Sequence, residues 1–150
     1  MPPWRRWSED TGTATLEFIT VGMILLVPLV YLILTMAAIQ GGALAVEGAA
    51  SQAARVFVQA PTVSEAQERA SRAVQFALED YGLRAADATV SIECSPDPDA
   101  CLTRLGTITV TVGMSVALPL VPSVLSSDGP LAVPLRASAT ERVSRFGLAP

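Results

Sequence analysis

The chain has 150 residues and a net charge of -4, enough for one modest domain with a slightly acidic surface. It contains no Lys and no basic stripe interleaved with aromatics, which argues against a nucleic-acid binder. It contains no His either, which removes the commonest general base, the Ser-His and Cys-His dyads and the His-ligated metal sites.

No charged residue occurs between Glu17 and Glu47, and Phe18 to Ile39 is apolar apart from Thr20, Gly22, Pro28 and Thr35. A bilayer core needs about 20 such residues. The 13 Phe, Ile, Val and Leu in this run contribute on the order of -5 kcal/mol to insertion. The run is apolar on every face, which favours a membrane helix over a buried helix of a soluble domain. Pro28 cannot donate to the carbonyl of Ile24, so a kink or loosening is expected there. Arg5 and Arg6 precede the run and the next basic residue is Arg55. The positive-inside rule therefore predicts a cytoplasmic N-terminus and a C-terminal domain outside the cytoplasm.

Two signals compete before the helix. A secretory signal peptide would be cut near Ala37, Ala38 or Ala43, although this apolar run is long for a signal core. The alternative rests on Gly12-Thr13-Ala14-Thr15-Leu16-Glu17-Phe18. This segment resembles the type III signal of type IV pilins and pseudopilins. In that family a prepilin peptidase cuts after a Gly, and the fifth residue of the mature chain is Glu, followed by an aromatic. With Thr13 as first residue, Glu17 is fifth and Phe18 sixth. An unpaired carboxylate at a membrane edge is costly. The resemblance implies that Glu17 pairs with the free amine of a neighbouring subunit. Without that partner, Glu17 reads as a helix-starting carboxylate favoured by the dipole.

Beyond the apolar run comes Gly41 to Arg55, rich in small residues and ending in Ala53-Ala54-Arg55. Together with Ala14-Thr15-Leu16-Glu17-Phe18, it is similar to the TadE-like family, minor pseudopilins of the tight-adherence (Flp) pilus system. The resemblance covers residues 10 to about 57. It implies an assembly component of a pilus, without enzymatic activity or cofactor. Its partners would be the prepilin peptidase, other pilins, the assembly platform and the membrane. An uncleaved, membrane-anchored accessory or binding protein outside the cytoplasm is the alternative. Ala37, Gly41, Ala45, Ala49 and Ala53 recur every four residues. Such a stripe admits close approach of another helix or of the chain's own head. Gly41-Gly42 is the expected weak point for a bend.

Pro61 closes this region. Thr62 to Glu65 reads as a capping box for a second helix, with Val63, Ala66, Ala70, Val74, Ala77, Leu78 and Tyr81 on its apolar face and Gly82 as its stop. This amphipathic helix is expected to pack on a sheet. Three strands follow. Ala88 to Glu93 is short, with Val90 and Ile92 facing one way. Thr107 to Leu118 alternates strictly, with Ile108, Val110, Val112, Met114, Val116 and Leu118 on one face. Leu131 to Arg142 carries Pro134, which points to an edge strand or a split one. The fold class is α+β: residues 1–12 as a cytoplasmic leader, 13–57 as the long helix and 58–150 as a pilin-like head.

Cys94 and Cys101 are the only cysteines. They flank a loop, and a disulfide suits the expected outside location. Asp97 and Asp99 in that loop are read as turn residues rather than calcium ligands. Glu79 and Asp80 are the one carboxylate pair for an enzymatic reading, but neighbours on a helix point in different directions. The candidate functional residues are therefore Gly12 and Thr13 for processing, Glu17 and Phe18 for assembly, and the cysteine pair for stability.

Overall fold

The computed structural model describes residues 13–120 and 131–146. Gly12, the leader and the middle of the loop after residue 120 lie outside the described residues. Helix α1 runs from Thr13 to Val58, helix α2 from Val63 to Glu79, and a single 3-10 turn occupies Ala85–Asp87. Strands β1 (Thr89–Ser95), β2 (Thr107–Ala117) and β3 (Ala132–Arg142) form one antiparallel sheet with β2 in the centre. The α+β class expected from the sequence is the observed one.

α1 is a single helix of 46 residues, about 69 Å at 1.5 Å per residue. It passes through Pro28 and through Gly41-Gly42 without interruption. Its two parts have opposite environments. From Leu16 to Met36 the large apolar side chains are exposed, and this part is long and apolar enough to cross a membrane. From Gly42 onward one face is buried: Ala45, Val46, Ala49, Ala50, Ala53, Ala54 and Phe57. These residues share one core with α2 and the sheet. The small-residue stripe thus packs against the chain's own head at Ala45, Ala49 and Ala53, while Ala37 stays exposed.

α2 begins as the sequence predicts. The Glu65 N–H donates to Thr62 Oγ1 at 3.3 Å. The return half of the capping box is not made, because the Glu65 carboxylate engages Arg69 one turn on. The helix ends in a Schellman arrangement: Gly82, at φ +70, donates to the Glu79 carbonyl and Leu83 to that of Leu78. Ala66, Ala70, Val74 and Leu78 are buried. Covering Val74 and Leu78 stabilises the head by roughly 1.5–3 kcal/mol each. The main partner of this face is α1, which in turn lies on β2 and β3. The expected packing of α2 on the sheet is corrected in that respect. Tyr81, past the helix end, is not part of the buried face: it is 52% exposed.

In β2, Ile108, Val110, Val112, Met114 and Val116 are buried, as their alternation predicts. The opposite face carries hydroxyl pairs to β3, Thr109–Thr140 at 2.9 Å and Thr111–Ser138 at 3.0 Å. β3 is an unbroken edge strand, with Pro134 paired opposite Ser115. β1 extends two residues beyond its expected end because Cys94 and Ser95 continue the ladder opposite Ile108 and Thr107. Val90 is only partly covered, since α1 lies over β2 and β3 and not over β1.

Candidate functional site

The N-terminal end of α1 is built from residues with no contact to the head. Leu16, Glu17 and Phe18 are all exposed, Phe18 at 79%. Glu17 makes no ion pair among the described residues, and the next charge along α1 is Glu47. The two carboxylates are thirty positions apart, about 45 Å along a helix. Thr20, one turn above Leu16, returns its hydroxyl to the Leu16 carbonyl at 2.8 Å, so it adds no unpaired polar group to the apolar surface. The arrangement presents one carboxylate and one aromatic ring at the start of an apolar rod. Its chemical capacity is recognition of a cation or amine at that carboxylate.

Thr13 is the first described residue and is already helical, and Gly12 lies outside the described residues. Ala37, Ala38 and Ala43, the candidate positions for a secretory cleavage, lie inside the helix.

Cys94 and Cys101 form a disulfide, with Cα atoms 5.0 Å apart. It joins the end of β1 to the following loop, which contains a cis Ser95–Pro96 bond. Asp97 accepts the backbone N–H of Asp99 at 3.0 Å, the turn role expected of it. Among the described residues no group of three Cys, Asp or Glu side chains is placed to hold a metal ion.

Glu79 accepts a bond from Gln75 at 2.8 Å, and both Glu79 and Asp80 face solvent. A shallow depression of about 540 Å³ beside them is lined by Gln75, Glu79, Leu83 and Arg84. Arg84 is already paired with Asp87 at 2.8 Å. The polar ends around this depression are thus committed to one another.

The structure keeps the two expected sites apart. Glu17 and Phe18 lie at the far end of the apolar rod from the head, and the disulfide lies within the head. Gly42, which the sequence marks only as a point of helix weakness, is a packing residue. A Cβ there would meet Val116 Cγ2 at 2.6 Å and Leu135 Cδ1 at 2.9 Å. Only Gly lets α1 approach the sheet this closely. Comparison with family models, with curated proteins and with solved structures found no match.

Proposed function

We propose that the protein is a minor pseudopilin of a type IV, tight-adherence pilus system, anchored in the membrane by α1 with its head outside the cytoplasm. A prepilin peptidase removes the leader between Gly12 and Thr13. The new amine of one subunit then pairs with Glu17 of its neighbour, an exchange that removes two unpaired charges from an apolar helix bundle. The observation that carries this reading is that Glu17, the apolar rod and the core of the head share one unbroken helix. Axial register set at Glu17 is therefore passed to the head without a joint.

Assembly tests the pairing. Glu17→Ala is expected to be processed normally yet to incorporate poorly into sheared pilus material. Glu17→Asp, with a shorter arm, is expected to be partly defective. Normal incorporation of Glu17→Ala would remove the charge pairing and leave a membrane-anchored accessory protein as the better account.

A further inference from the structure

The 29 uncharged residues from Phe18 to Val46 make a rod of about 44 Å. A bilayer hydrocarbon core takes up about 30 Å of it, and the core with both headgroup layers takes up about 40–45 Å. With Glu17 at one edge, hydrocarbon ends near residue 38, and the headgroup layer covers the turn holding Gly41 and Gly42. That turn is also where the head begins. Gly42 is the first buried residue of α1, tight against Val116 and Leu135. A Cβ on Gly41 would lie 3.9 Å from Tyr81 Cδ1. Adjacent helix positions point about 100° apart, so two parts of the head flank α1 at this level.

The sheet extends past Gly42. The Leu118 N–H donates to the Leu131 carbonyl at 2.9 Å, one rung beyond the Ala117–Ala132 pair. Leu120 and Leu131 are exposed, at 73% and 49%, as is Tyr81. No charged residue falls among residues 114–120 or 131–135. Among the described residues the sheet side of this base thus carries no charge, and the base is partly aromatic at Tyr81, continuous with the surface of the rod and level with the headgroups when α1 spans the bilayer. Tyr is enriched at that depth because its ring is apolar and its hydroxyl is wet.

We propose that this base is a lipid-binding surface, seated in the headgroup layer through Tyr81 on one side of α1 and Leu120 and Leu131 on the other. The contact rests on the proposed membrane anchoring of α1. It works by shallow apolar insertion, since Asp80 and Arg84 beside Tyr81 give the base no excess of positive charge. It therefore does not require anionic lipid. Its effect is to hold the head upright on the membrane before assembly, with the disulfide end directed away.

The test uses the full chain in phosphatidylcholine vesicles, with Trp4 and Trp7 replaced by Phe. Single tryptophans are placed at Tyr81, Leu131, Phe146 or Leu29, and lipids brominated near the headgroup or deep in the acyl chains serve as quenchers. Shallow bromines are expected to halve the emission of Tyr81→Trp and Leu131→Trp or reduce it further. Deep bromines are expected to do so for Leu29→Trp. Phe146→Trp, at the opposite end of the sheet, is expected to respond to neither. Quenching of Leu29→Trp with no quenching of Tyr81→Trp or Leu131→Trp would overturn the lipid seat and leave the anchor intact. Quenching at only one of those two positions would overturn the two-sided seat. Blue-shifted emission at the base without bromine quenching would overturn the lipid seat and show the base buried against the chain itself or a second copy. No quenching of Leu29→Trp would overturn the anchor and the seat together.

Discussion

Gly42 and Val116 are in such close contact that a single added carbon on Gly42 would stand 2.6 Å from Val116 Cγ2. Val116 is β-branched and has few rotamers into which to retreat. Gly42 therefore fixes how closely α1 lies on β2 and β3. Gly48, six residues later, has open space around it.

The two glycines are expected to respond oppositely to alanine. Gly42→Ala gains helix propensity of about 1 kcal/mol, but overpacking costs about 1–3 kcal/mol. With β-branched Val116 unable to retreat, the upper part of that range applies, and a net loss of about 1–2 kcal/mol is expected. Gly48→Ala takes only the propensity gain. Thermal unfolding of the purified full chain, followed by the loss of protease resistance of the head, checks the sign of each.

On β2, Val112 is fully buried while its neighbour Thr111 bonds Ser138 on the outer face. Val112→Asp buries an unpaired charge and is expected to destabilise the head strongly, by several kcal/mol. Thr111→Asp loses one exposed hydroxyl pair and is expected to cost about 1 kcal/mol or less. Equal losses in a denaturation series would show that the buried face of β2 is wrongly assigned.

The disulfide closes a short loop between Cys94 and Cys101. Its removal in a Cys94→Ser, Cys101→Ser double variant is expected to cost about 2.5 kcal/mol. The same cysteines report sidedness. In intact cells a membrane-impermeant thiol reagent is expected to label them only after reduction. Labelling without reductant, or protection after it, would contradict the pairing or the outside location respectively.

Much of this architecture could be read from local pattern. The strict alternation from Thr107 to Leu118 identifies β2 and its buried face, and Thr62 and Gly82 mark both ends of α2. Partners were less legible. Amphipathicity says which face of α2 is buried and not what covers it, so α1 could not be told from the sheet. Tyr81 continues the apolar spacing of α2 in sequence, yet the chain leaves the helix before it. The end of β1 was hidden because Cys94 reads as loop until its ladder opposite Ile108 is known. Gly42 meets its partners Val116 and Leu135 only through the tertiary fold, which no local signal encodes. For the candidate site, the spacing of Gly12, Glu17 and Phe18 is a sequence property. The structure adds that Glu17 and Phe18 are exposed on the same rod that enters the head.

The proposed function requires that a peptidase convert this chain into a mature subunit beginning at Thr13. N-terminal sequencing of the protein extracted from membranes tests it most directly, with Gly12 replaced by a bulky residue as the control. The expected mature sequence is Thr13-Ala14-Thr15-Leu16-Glu17, with the control retained at full length. A chain that begins at Met1, or that begins after the apolar segment near Ala43, would contradict the account.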